Sequence, residues 1–226
     1  MSLIDPNDYI ITRKRKKYKF AKFANAENCF ELNEWTKRSV DMVELGAGTG
    51  LFSVELAASH PDQTFVAVDV KADRLQKGAY AALERGLTNV FFVRARADQL
   101  DQLFDESSLA AIWLTFPDPF PRKGSAGRRM THPNFLRKYA ALLAKGSTLN
   151  REDKSAFAGS LYLKHDNRDF FHWSLEQLVS EKWRIEELSF DLHDSELADD
   201  YKILTTYEKR WLSEGLVTNF VKASKL

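Results

Sequence analysis

Residues 40–60 read VDMVELGAGTGLFSVELAASH, and this stretch decides the fold. VDMVEL (40–45) is a short apolar run that stops at a glycine-rich turn, and LFSVELAASH (51–60) repeats apolar residues at helical spacing. The order is therefore strand, tight turn, helix. The unit recurs downstream. TFVAVDV (64–70) reads as a second strand, RLQKGAYAALERG (74–86) as a helix closed by Gly86, and NVFFVRA (89–95) as a third strand. LAAIWLTF (109–116) is a fourth, stopped by PDPFP, and NFLRKYAALLAKG (134–146) is a helix with Phe135, Tyr139, Leu142 and Leu143 on one face. SLYLKH (160–165) and DFFHWSLEQLVSEK (169–182) add a further strand and helix. Strands alternating with helices of this length predict an α/β fold with a doubly wound, mostly parallel sheet, whose ligands bind outside the carboxyl ends of the strands. WRIEELSFDL (183–192) and YKILTTYEKRW (201–211) predict two closing strands, an antiparallel pair joined by an acidic loop.

Size and charge bound the function. The 226 residues, 44% hydrophobic, suffice for one sizeable core. The formal net charge of +1 gives no global field, but its distribution is uneven. Residues 13–22 carry Arg13, Lys14, Arg15, Lys16, Lys17, Lys19 and Lys22 with no acid, whereas 191–200 holds Asp191, Asp194, Glu196, Asp199 and Asp200. Residues 1–34 are expected to form a basic, mostly irregular arm with interleaved aromatics, ahead of a domain at 35–226. Cys29 stands alone, which excludes an internal disulfide and a cysteine-built zinc site and fits a reducing compartment. With no apolar stretch long enough to span a bilayer, a cytoplasmic location is expected.

Glu44, Gly46, Gly48 and Gly50 form E-x-G-x-G-x-G at the end of the first of these strands. Glycines at alternate positions let backbone turn tightly and approach a ligand closely. A dinucleotide fingerprint needs G-x-G-x-x-G, and the third residue after Gly48 is Leu51, which weakens a nicotinamide reading. The pattern instead resembles motif I of S-adenosylmethionine-dependent methyltransferases. Asp69 ends the next strand, where a carboxylate accepts from both hydroxyls of a ribose. Asp98 follows the third strand, where an acidic side chain suits an adenine amino group. Either acid alone would be an ordinary loop residue; with the glycine turn they fall at three strand ends in order.

Residues 116–132, FPDPFPRKGSAGRRMTH, place Asp118 between two prolines, which fixes the local backbone and aims one carboxylate. A plain proline turn would look similar, but Arg122, Lys123, Arg128 and Arg129 follow with no acid among them, as phosphate contact requires. FPDPFPRK followed by RRMTHPNFLRKYAALL resembles the tRNA (guanine-N7)-methyltransferase family, as do KHDNRDFF (164–171) and TTYEKRW (205–211), all in the family's order. The resemblance spans about 40–211 and implies a Rossmann-like fold, S-adenosylmethionine as methyl donor, and a guanosine in tRNA, in the variable loop, as acceptor. Carried over by position, it implies that Glu44, Gly46, Gly48, Gly50, Asp69, Asp98 and Asp118 bind the cofactor. Asp118 also takes the catalytic position, and Arg122, Asp166, Thr205, Thr206, Tyr207 and Glu208 contact substrate. The chain departs from the family pattern at His165 (usually threonine), Phe120 (usually tryptophan), Arg122 (commonly lysine), GSAG (124–127) and an apparent insertion at 147–157.

His132 and His165 lie near the expected site, but no HxH, HxxxH or acid cluster accompanies them, so structural roles are expected and no metal. Trp113, Trp173, Trp183 and Trp211 are expected in the core. Guanine N7 bears no proton, so orientation and a carboxylate facing the cationic product ring would carry the chemistry, with Asp118 and Asp166 as candidates. The competing readings are a small-molecule methyltransferase, which has no use for the basic arm, a nicotinamide oxidoreductase, for which the chain is short, and a non-catalytic RNA-binding protein.

Overall fold

The computed structural model describes residues 3–11, 13–144 and 159–225. In chain order, α1 (Lys14–Asn25) and an edge strand β1 (Cys29–Glu31) precede β2 (Met42–Leu45), α2 (Leu51–Ser59), β3 (Phe65–Asp69), α3 (Ala72–Glu84) and β4 (Val90–Arg94). Then come α4 (Leu100–Leu103), β5 (Ala111–Thr115), α5 (Pro133–Leu142), β6 (Ser160–His165), α6 (Arg168–Ser180), β7 (Trp183–Ser189), α7 (Thr206–Ser213) and β8 (Asn219–Lys225). The expected insertion at 147–157 lies outside the described residues.

Among the described residues the strands form one eight-stranded sheet in the order β1-β4-β3-β2-β5-β6-β8-β7. Neighbours from β1 through β6 pair in parallel, while β8 runs antiparallel to β6 and β7. The chain leaves β2 toward β3 and β4 and then crosses back to β5, so the order reverses beside β2. That reversal is where doubly wound sheets open a crevice at the strand ends.

Period-2 alternation divides the core into two layers. Met42, Ala67, Phe92 and Trp113 pack against Phe23 of α1, Phe52 and Leu56 of α2 and Leu75 of α3. Val43, Leu45, Val66 and Leu114 face Leu100 of α4, Leu136 of α5 and Phe171 of α6. Trp113 and Trp183 are buried as expected, whereas Trp173 and Trp211 are only half-buried. Trp113 stacks on its register partner Tyr162 with centroids 4.4 Å apart. No helix among the described residues is long and apolar enough to cross a membrane.

Two sequence expectations are corrected. Residues 201–211 do not form a strand. Thr205 caps α7, its hydroxyl accepting from the Glu208 N–H while the Glu208 carboxylate accepts from the Thr205 N–H, a capping box that commits the segment to a helix. The antiparallel pair exists, but its second strand is β8, inserted between β6 and β7. Nor is the stretch 14–25 irregular. It is helical, buries Ala21 and Phe23, and leads into β1, which joins the sheet beside β4.

Candidate active site

The turn after β2 holds Gly46, Gly48 and Gly50 at φ 68°, 59° and 69°, the left-handed region that disfavours any side chain. A methyl group on Gly50 would lie 2.6 Å from the Phe92 ring, so this glycine is required by packing. A methyl group on Gly48 would meet no protein atom within 4 Å, because the space before it is the pocket itself. Asp69, at the end of β3, fastens the turn: its carboxylate accepts the Gly48 N–H at 2.8 Å and the Lys71 N–H at 2.8 Å. Each oxygen keeps a second lone pair for a ligand.

Beneath the turn, Glu44 is buried and accepts from the Ser53 and Thr115 hydroxyls, both at 2.6 Å. Burial pushes its carboxyl up to about 7; the two hydroxyls oppose that rise and the nearby Asp69 charge adds to it. Glu44, Gly46, Gly48, Asp69 and Asp118 all line one pocket at the carboxyl ends of β2, β3 and β5. Thr205, Thr206 and Tyr207 close it from the other side. Two contacts clasp that closure: the Thr49 and Thr206 hydroxyls meet at 3.3 Å, and Arg74 donates to the Tyr207 hydroxyl at 3.0 Å.

Asp118 is exposed on a turn held rigidly from several directions. Phe116 and Phe120 take positive φ (52° and 40°), unfavourable for such residues unless the surroundings enforce it. The Phe116 N–H donates to the Lys164 carbonyl at 2.9 Å. Arg129 donates to the Phe120 carbonyl at 3.1 Å while its guanidinium lies 4.3 Å from the Trp173 ring, and Arg128 covers Phe120 itself. His165, buried, touches the Pro117 carbonyl at 2.9 Å and lies 3.2 Å from the Asp166 carboxylate. The charges of Asp118 and Asp166 both act on this one imidazole, so the two candidate carboxylates share a neighbourhood. Arg122, Lys123 and Arg128 are exposed beside the turn.

Three expected site residues are placed otherwise, the first being Gly50, which packs against Phe92 and does not line the pocket. The Asp98 carboxylate does not line the pocket; it is held by the Arg96 guanidinium through two bonds of 2.9 Å, and the neighbouring Ala97 lines the pocket instead. Glu208 is fully buried, its carboxylate engaged by Lys164, His193, the Thr205 N–H and Thr218. Sequence reasoning missed Met130, whose terminal carbon sits against Gly46, together with the clasp residue Arg74 and the buried Lys164. Met130 lies within the quoted RRMTH segment, but nothing in its residue type marked it. His132 caps α5, its Nδ1 accepting from the Asn134 N–H, a structural role.

A sheet of this order, with a glycine turn after its central strand and an acid ending the next, defines a Rossmann-like methyltransferase. Solved structures agree on the fold. The 16S rRNA methyltransferase KamB superimposes with a TM-score of 0.59 at 15% identity, covering 86% of this chain and 90% of that one. A precorrin-6y C5,15-methyltransferase from Geobacter metallireducens gives 0.51 at 14% identity over 96% and 90%. A methyltransferase family model matches residues 38–220. The tRNA (guanine-N(7)-)-methyltransferase of Cytophaga hutchinsonii is 35% identical over 184 residues, 80% of this chain and 78% of that protein. The enzyme of the same name from Brevibacillus brevis is 35% identical over 182 residues, 80% and 79% of the two chains. The chain belongs to the tRNA (guanine-N7)-methyltransferase family.

Proposed function

We propose that the protein transfers a methyl group from S-adenosylmethionine to N7 of a guanosine in the variable loop of tRNA. The observation that carries this reading is the single pocket wall that combines the Gly48 cradle, the Asp69 carboxylate and Asp118, in a chain of this family. The residues fit the cofactor: Gly48 leaves room for a ligand where a side chain would stand, Asp69 retains lone pairs for ribose hydroxyls, and Val68, Ala95 and Ala97 offer an apolar wall for an adenine. Bound there, S-adenosylmethionine supplies an activated methyl group on a sulfonium.

The chain's own residues then have defined tasks. N7 carries no proton, so no general base is needed, and placement of the ring accounts for much of the rate. Asp118, held by its rigid turn, faces the positive charge that grows on the guanine ring and stabilises it. Asp166 accepts from the adjacent N–H donors of the guanine edge. Arg122, Lys123 and Arg128 hold phosphates beside the turn, and the exposed cations of α1 hold others. The test is incubation with labelled S-adenosylmethionine and bulk tRNA, followed by mass spectrometry of the nucleosides. Label in 7-methylguanosine is expected; label in another base would overturn the assignment.

A further inference from the structure

Glu208 occupies the last position of the T-x-Y-E segment that the family resemblance assigns to substrate contact, yet its side chain is 0% exposed. Four donors surround its carboxylate: the Lys164 ammonium at 2.8 Å, the His193 Nε2 at 3.0 Å, the Thr205 N–H at 2.9 Å and the Thr218 hydroxyl at 3.3 Å. An ionised carboxylate has about four lone-pair sites. All are filled, and none is left for a guanine edge.

The neighbours show what this carboxylate does instead. Lys164, also 0% exposed, donates both to Glu208 and to the Ile203 carbonyl at 2.9 Å, so one ammonium gathers the chain on either side of Thr205. Glu208 and Thr205 exchange capping bonds. Between these anchors stand Thr206 and Tyr207, the residues that reach across the pocket to Thr49 and Arg74. Lys164 lies in β6, register partner of Thr115, whose hydroxyl binds Glu44. The strap over the pocket is thus fixed to the same sheet positions that form the pocket floor.

We propose that Glu208 and Lys164 are positioning residues for the methyl donor, holding residues 205–207 as a strap over the cofactor pocket, and that Glu208 does not touch the tRNA. A buried pair keeps such a strap in register because breaking either half leaves an uncompensated charge. This rests on the pocket being the S-adenosylmethionine site.

Two kinds of variant test it, with S-adenosylhomocysteine binding measured by calorimetry without RNA, and KM for cofactor and for tRNA measured separately. Glu208→Gln removes the charge, and Thr205→Ala removes one cap bond with no buried charge left behind. Both are expected to weaken S-adenosylhomocysteine about five- to tenfold, the scale of one missing cap, and to raise KM for the cofactor while KM for tRNA stays within about twofold. Thr205→Ser should restore binding. Unchanged S-adenosylhomocysteine affinity in Glu208→Gln, with a large loss in kcat/KM for tRNA, would overturn the proposal in favour of a guanine contact. Should Glu208→Gln fail to fold, a folded Thr205→Ala with unchanged affinity overturns it equally. Absence of binding by the unsubstituted protein would instead remove the cofactor reading underneath.

Discussion

His165 contacts the carbonyl oxygen of Pro117 through Nε2 at 2.9 Å, joining the end of β6 to the turn that carries Asp118. Its Nδ1 accepts the Asn167 N–H at 2.8 Å, so the proton must sit on Nε2 and the ring is neutral. The position that is usually threonine in the family is filled here by a residue that fastens two site loops with one ring.

Burial lowers the His165 pKa, and the Pro117 carbonyl and the Asp166 and Asp118 carboxylates oppose that only in part. The native state therefore resists a proton that the unfolded chain takes up. The stability contributed is complete above the unfolded value of about 6.5 and declines as pH falls below it. Urea unfolding at pH 7.5 and 5.5 should show the native protein losing more stability than His165→Gln over that interval. An identical pH dependence would show that the ring does not titrate as described.

Glu44 acts in the opposite direction. Its folded pKa of about 7 lies above the ordinary 4.5, so the native state binds a proton the unfolded chain has released, and stability declines as pH rises through that window. Glu44→Gln, an isostere of the protonated acid, should gain on the native protein by up to about 3 kcal/mol between pH 4.5 and 8 in the absence of cofactor. Parallel stability curves would mean that Glu44 stays ionised at little cost.

Gly48→Val should abolish S-adenosylhomocysteine binding in calorimetry. The side chain would enter the open space before the turn, at a φ of 59° that a branched residue strongly disfavours. Unchanged affinity would remove this turn from the site.

Neutralising Arg13, Lys14, Arg15, Lys16 and Lys17 should weaken tRNA binding and reduce its log-log salt slope by about 0.7 to 0.9 for each phosphate that no longer meets a cation. The helix that carries most of them is anchored by buried Phe23, so its cations are displayed at a fixed place on the protein. Affinity for S-adenosylhomocysteine should not change. An unaltered salt slope would detach α1 from RNA binding.

What the sequence made legible follows from where local signals are strong. The strand–turn–helix units announced themselves because two-residue and 3.6-residue periodicities switch sharply at glycines, and strand ends could be located within a residue or two. The segment 201–211 looks like a strand because Tyr, Ile and Thr favour strands, while the deciding signal is the reciprocal Thr205 and Glu208 cap. Helix α1 was obscured by the seven cations of residues 13–22, whose mutual repulsion argues for an open chain until Phe23 and Ala21 are buried on the domain. Asp98 and Glu208 show the limit at the site. Whether a carboxylate faces a ligand or a neighbour depends on side-chain partners that sequence does not orient, and neither Lys164 beneath Glu208 nor the turn of Arg96 toward Asp98 has a local signature.

The proposed mechanism depends most directly on the charge of Asp118. Asp118→Asn preserves the size of the side chain and the geometry of a turn fixed by Pro117, His165 and Arg129, and removes only the negative charge. The measurement is the single-turnover rate of methyl transfer to tRNA, with tRNA affinity determined alongside. The rate should fall by roughly 10²-fold or more, the scale of one missing electrostatic stabiliser, with tRNA affinity nearly unchanged because phosphate contacts dominate it. A near-normal rate would contradict the mechanism, showing that Asp118 only shapes the turn.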